Sequence, residues 1–194
     1  MPYQFVEVGS QEQLKKIFSF RYDILNEREE TRILLKDCEI GCETDGYDAY
    51  SVHFAAFDET GEIVAYTRLI HHSPIGYPTA NYMSYDRDTW HFDPEHLGEF
   101  SRIFVAPHMR SIQKLRPLFD TLKIVGCAKM TDLDIRYTLG TLEKPFFRLL
   151  NMLHFPYHRI GDLQTHFGQR YPAILYTDEL RSANPELFKE NATQ

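Results

Sequence analysis

Residues 51–70 leave the chain few choices. The runs SVHFAAFD (51–58) and EIVAYTRLI (62–70) are rich in β-branched and aromatic residues, and Asp58, Glu59, Thr60 and Gly61 separate them. Gly61 supplies the positive φ that such a turn asks for, so the two runs are predicted to pair as an antiparallel hairpin. The rest of the chain is read outward from it. Residues 3–8 alternate as a strand. Ser10 with Glu12 and Gln13 reads as a helix start, and Leu14, Ile17, Phe18, Tyr22 and Leu25 follow at helical spacing. Residues 26–50 and 71–97 are polar or aperiodic and are expected to be long loops, which in compact domains are usually functional. Downstream come a strand at 99–105 stopped by Pro107, a helix at 116–131, a strand at 135–139, a helix from Pro145 to Met152, and strands at 157–160 and 171–176. Strands mixed with crossover helices predict an α/β or α+β class with one central mixed sheet.

Length and charge narrow the function. At 194 residues the chain suits one domain over 1–194, large enough to bury roughly 70% of its unfolded surface. A net charge of −7 without a Lys/Arg-rich stripe argues against nucleic acid as a partner. An apolar run of the ~20 residues needed to span a bilayer is missing, and MPYQFVEVGSQEQLKK does not start as a signal peptide does, so a cytoplasmic location is expected. Cys38, Cys42 and Cys127 are an odd set without a CxxC pair, and the nine histidines contain no HExxH, so neither a disulfide framework nor a metal site is expected. Lys114, Arg116 and Lys123 near one predicted helix, alongside Arg110, are the available local basic patch.

Four short motifs occur in a telling order. Arg21 opens RYDIL on the first helix. Asp45-Gly-Tyr47-Asp48 precedes the hairpin, which ends in Arg68-Leu69-Ile70. Gly98-Glu99-Phe100-Ser101-Arg102-Ile103-Phe104-Val105 follows. Across residues 15–106 this order and spacing resemble the acyl-homoserine-lactone synthases, members of the wider GNAT fold. More loosely, the stretch from Arg159-Ile160-Gly161 to His166-Phe167-Gly168-Gln169-Arg170-Tyr171-Pro172 is similar to the ends of bacterial N-acyl amino acid synthases and exosortase-associated acyltransferases. The resemblance implies a GNAT-like domain whose central mixed sheet is mostly antiparallel and flanked by helices. It implies a transferase that moves an acyl group, expected to be long-chain, from an acyl-carrier-protein or CoA thioester to a small amine such as an amino acid, with no permanently bound cofactor. Two departures bear on the acceptor. Leu25 and Thr31 stand where the lactone synthases carry Phe and Trp, which points away from S-adenosylmethionine and a lactone product. A third bears on the donor. Residues 106–114 (APHMRSIQK) contain no glycine where GNAT acetyltransferases place a pyrophosphate-binding Gly-rich loop, so a carrier-protein donor is expected over free CoA.

Amide formation from a thioester needs a proton acceptor for the amine, donors for the developing oxyanion and an apolar slot for the chain. By the resemblance, Glu99 is the candidate base, with Ser101 on the same strand face and Arg102 beside it. Backbone N–H groups near Phe104 and Val105 are candidate oxyanion donors. Arg21, Asp45, Asp48 and Arg68 complete an alternating-charge set that would shape the acceptor pocket; an equal reading is an ion-pair network pinning loop 26–50 to the sheet. The apolar residues of 146–153 could line an acyl slot, although a helical apolar stripe ordinarily faces the core. Three alternatives stay open: a lactone synthase using S-adenosylmethionine, a CoA-dependent GNAT acetyltransferase, and a GNAT-like binding domain without catalysis. A lost Glu or Arg in the charged set would favour the last, and none is lost.

Overall fold

The computed structural model describes residues 3–90 and 92–189. Strand β1 (Phe5–Val8) leads into helix α1 (Gln11–Asn26), which begins in a capping box where Ser10 and Gln13 exchange hydrogen bonds. Loop 26–50 holds the short helix α2 (Glu29–Arg32) and two 3₁₀ turns, Ile33–Leu35 and Asp48–Tyr50. The hairpin follows as β2 (Ser51–Phe57) and β3 (Ile63–His71), closed by Gly61 at φ 83°. Loop 71–97 contains helix α3 (Pro78–Tyr82) and leads to β4 (Leu97–Val105). Then come α4 (Ile112–Asp132), β5 (Tyr137–Glu143), α5 (Lys144–Met152), β6 (His158–Arg159), β7 (Gln164–Thr165), β8 (Gln169–Tyr176), α6 (Thr177–Ser182) and α7 (Pro185–Phe188).

Among the described residues the eight strands join one sheet, ordered β1-β2-β3-β4-β5-β8-β6 with β7 also on β8. Every pairing is antiparallel except β4 with β5. Helices α4 and α5 cover one face, burying Phe54, Leu69, Phe100, Leu115, Phe119, Leu142 and Leu150. The opposite face is shared. Helix α1 packs Ile17 against Val8, Ala55 and Tyr66, while Tyr47 and Tyr77 from the long loops pack against Ile70, Leu97, Leu139 and Ile174.

Three sequence expectations shift. Helix α4 begins at Ile112 rather than 116, so Pro117 lies inside it as the sixth helical residue, where it lacks the N–H that would bond the Gln113 carbonyl; burial of Leu115, Leu118 and Phe119 on one face holds the turn helical nonetheless. The expected 135–139 strand starts at Tyr137 and runs on to Glu143, because β8 pairs with it along its whole length. Lys123 does not belong to a surface patch. It is 2% exposed, and its ammonium is held by Asp120 and Asn184 at 2.8 and 2.7 Å.

The feature that positions the site is a divergence. Parallel pairing between β4 and β5 covers only Leu97–Glu99 against Tyr137–Leu139. Beyond Glu99 the strands separate. The first four residues of β4 are buried and the remaining five half-exposed.

Candidate functional site

Helix α1 carries an arginine where an amphipathic helix would place an apolar residue. Arg21 is fully buried, in line with Ile17 and Leu25. Its Nε is bonded to Glu43, and its Nη1 reaches Asp48 Oδ1 at 2.6 Å. Asp48 Oδ1 also accepts from Arg68 Nη1 at 2.6 Å. Arg68 lies across Asp45 in a two-pronged contact, and Arg102 closes the network on Glu43 and Asp45 at 2.9 and 3.1 Å. Three arginines thus face three carboxylates, a balanced charge set in which most ions keep several partners. It has one shortfall: Arg21 Nη2 is buried without a hydrogen-bond partner among the described residues.

The carboxylates respond accordingly. Burial opposes ionisation of Asp45, but the hydrogen bonds and charge of Arg68, then Arg102 and Arg21, hold it well below the usual carboxylate range. Asp48 is held low against burial by Arg21 and Arg68, and Glu43 by Arg102 and Arg21. Two local devices shape the loop. Asp45 accepts from the Tyr47 amide at 2.9 Å, and Asp48 accepts from the Asp45 amide at 2.9 Å. Loop 26–50 is thereby fastened to α1, β3 and β4.

Arg21, Asp45, Asp48, Arg68 and Arg102 therefore come together, and Ser101 joins them by accepting from Arg68 Nε at 2.8 Å. Glu43, the residue that links Arg21 to Arg102, was not among the sequence candidates. Its signal was the acidic spacing Glu43-Thr44-Asp45-Gly46-Tyr47-Asp48, read only from Asp45 onward.

Glu99 sits on the same sheet face but bonds elsewhere. It is 1% exposed and accepts from the Thr79 amide at 2.9 and 3.2 Å and from the Thr79 hydroxyl at 3.0 Å. The Thr79 hydroxyl also bonds Thr141 Oγ1 at 2.8 Å, and Thr141, on β5 past the point of divergence, is half-buried. Burial pushes the Glu99 carboxyl up to about 7, against the Thr79 donors and the more distant Arg68 and Arg102. A carboxyl titrating near neutrality beside an opening in a sheet is suited to proton transfer.

The open half of β4 is set by a bulge. Arg102 has φ 54°, a left-handed conformation uncommon outside glycine, and the β3–β4 register shifts opposite it. Past the bulge, the Ala106 amide bonds Val64 O at 2.9 Å. By strand alternation Phe104, paired with Tyr66, also turns its amide toward β3, whereas Val105 turns its amide and carbonyl toward the gap. Val105 O there accepts from Arg110 Nε at 2.9 Å. Of the two expected backbone donors, Val105 faces the opening and Phe104 does not. Of the apolar 146–153 residues, Leu150 and Leu153 belong to the core, Phe146, Phe147 and Leu149 are partly buried against it, and Met152 is 63% exposed.

A sheet that opens between its fourth and fifth strands, with a bulge on the fourth, agrees with the family match over residues 20–120, described as an acetyltransferase (GNAT) domain. The chain belongs to the GNAT acetyltransferase family. It is an acyltransferase of that type. No curated protein matches the sequence. Among solved structures, the acyl-homoserine-lactone synthase LasI superposes with a TM-score of 0.73 at 13% identity, covering 99% of this chain and 96% of LasI. BjaI, a CoA-dependent acyl-homoserine-lactone synthase, superposes at 0.71 and 16% identity, covering 99% of this chain and 92% of its own. FeeM, an N-acyl amino acid synthase from uncultured soil microbes, superposes at 0.64 and 12% identity, with 93% of each chain covered. At these identities the likeness is one of fold. Among the described residues no helix is long and apolar enough to cross a membrane, and no group of three or more His, Cys, Asp or Glu side chains could hold a metal ion.

Proposed function

We propose that this GNAT domain, acting as one unit in the cytoplasm, is an N-acyltransferase. It moves a long-chain acyl group from a carrier-protein or CoA thioester to the amine of a small acceptor such as an amino acid. The observation that carries the reading is Glu99: the last β4 residue paired with β5, buried at the point where the strands part and bonded to Thr79, with burial pushing its carboxyl up to about 7. In this reading the thioester enters the gap beyond Glu99, and the Val105 amide steadies the oxygen as charge develops on it. The amine nitrogen forms the new C–N bond and the C–S bond breaks. The amine proton passes to Glu99 through the Thr141 and Thr79 hydroxyls, the departing thiolate takes a proton from water, and Glu99 returns its proton to solvent to complete the cycle. Above pH 7 the Glu99 carboxyl is ionised and able to accept.

A carrier-protein donor is favoured by the segment after β4. It has no glycine, Pro107–Met109 coils into a 3₁₀ turn, and Arg110 is committed to Val105 O and to Glu27 at 3.0 Å. The reading is tested by incubating the purified protein with acyl-carrier-protein or acyl-CoA and a pool of L-amino acids, with mass spectrometry of the products. N-acyl amino acids are expected. Acylhomoserine lactone formed only when S-adenosylmethionine is supplied would replace this reading with the lactone-synthase one.

A further inference from the structure

In the central network each arginine has its own carboxylate contacts, whereas at the outer end of the gap two guanidiniums converge on one carboxylate oxygen. Glu143 closes β5 and lies opposite Arg170 of β8. Its Oε1 accepts from Arg170 Nη2 at 2.9 Å and from Arg28 Nη1 at 2.8 Å, so two guanidiniums share one carboxylate oxygen. The other nearby acid, Glu30, is exposed and 3.9 Å from Arg28. Arg170 is aimed by the chain itself. Its Nε and Nη2 donate to Phe167 O at 3.2 and 3.1 Å, and Phe167 holds φ 49° to present that carbonyl. The Nη1 of Arg170 carries no hydrogen bond among the described residues, and the side chain is 18% exposed, enough for a small ligand to touch. Arg170 projects from the sheet face that carries Thr141 and Glu143, since residues two apart on a strand share a face and register partners face together. Burial, with repulsion from Arg28 and Arg102, keeps its guanidinium below the usual arginine value despite the opposing charge of Glu143.

We propose that Arg170, steadied by Phe167 and helped by Arg28, binds the carboxylate of the acceptor at the mouth of the β4–β5 gap. The inference rests on the N-acyltransferase reading and deepens it: the acceptor is an amino acid, not a simple amine. A planar guanidinium matches a carboxylate in two parallel hydrogen bonds, and a site built for such a charge rejects an analogue lacking it. Glu143 occupies the positive site in the absence of acceptor and keeps the two arginines from repelling each other.

The test compares an equimolar pool of L-amino acids with the pool of their primary amides. Binding is read by ligand-observed NMR and turnover by product mass spectrometry, in the wild type, Arg170→Gln and Glu143→Gln, each checked for thermal unfolding. The wild type is expected to prefer acids over amides by about 10–100-fold, and Arg170→Gln to lose that preference with the KM for the acyl donor unchanged. Glu143→Gln frees both guanidiniums and is expected to strengthen acid binding, which a merely structural ion pair would not do. Equal binding of acids and amides by the wild type overturns the proposal, as does a rise in donor KM alone in Arg170→Gln, which would assign the arginine to the donor's phosphate. Acid-selective binding lost in Arg170→Gln without any acyl transfer would sustain the carboxylate site while overturning the N-acyltransferase reading.

Discussion

Arg68 grips Asp45 with both arms of its guanidinium, Nη1 on Oδ1 at 2.6 Å and Nη2 on Oδ2 at 2.7 Å. Arg68 is fully buried at the middle of β3, and Asp45 belongs to the loop laid over it. The pair fastens that loop to the sheet. Replacing Arg68 with Met leaves Asp45 with Arg102 alone and Asp48 with Arg21 alone, and removing one partner of a buried pair costs about 3–5 kcal/mol. Urea unfolding of Arg68→Met is expected to show a loss of that size. Arg68→Lys keeps the charge but not the fork, and is expected to fall between the two.

Glu99→Gln keeps shape and most hydrogen-bonding capacity but removes the proton acceptor. Turnover at saturating acceptor is expected to fall by about 10²–10⁴-fold. The wild-type rate should climb with pH through about 7, the value to which burial raises this carboxyl, and that limb should vanish in the variant. Near-normal turnover by folded Glu99→Gln would remove Glu99 from the mechanism.

Stability should depend on pH in two opposite ways. Glu99 has a folded value of about 7 against an ordinary 4.5, so the folded state holds the proton more tightly. Its contribution is full below 4.5 and is lost as pH rises through 7. Asp45, Asp48 and Glu43 are held low, so their contribution is full above the ordinary carboxylate range and is lost as acid protonates them. Calorimetric Tm measured against pH should decline between 4.5 and 7 in the wild type, and Glu99→Gln should flatten that decline while leaving the acid limb in place.

Gly161 admits no side chain without displacement. A Cβ there would lie 2.7 Å from Ser84 O and 2.9 Å from Pro172 Cγ. Ser84 is tied to the same region, since Gln164 bonds both its amide and its carbonyl at 2.8 and 2.7 Å. Gly161→Ala is expected to destabilise by about 1–3 kcal/mol, the usual cost of overpacking, and to loosen residues 84–86 in hydrogen exchange.

Free CoA should bind poorly beside the carrier protein, because residues 106–114 present no glycine for close phosphate approach. Calorimetric titration is expected to give a CoA Kd weaker than about 1 μM, near −8 kcal/mol. Tighter binding would favour the CoA thioester as donor.

The order of the longer elements, the hairpin, the Ser10 cap and the motif order that points to the GNAT family were legible in the sequence by itself, because turn chemistry, capping and periodicity act over a few residues; the short α2, α3, β7, α6 and α7 were not, being too brief to show a period. Tertiary structure decided the rest. Only the packed loop shows that Glu43 joins Arg21 to Arg102, since these partners lie 22 and 59 positions away in the chain. Only the position of α3 shows that Glu99 is shut beneath Thr79, and only α7's neighbour Asn184 shows why Lys123 is buried rather than exposed. The divergence of β4 from β5 has no local signature either, because an unpaired edge is a property of the neighbour that is missing. Sequence patterns report which face of an element is apolar; which distant charge meets which, and how much water is left around them, depends on the assembled sheet, and burial and charge pairing set the chemistry of Glu99 and Arg170.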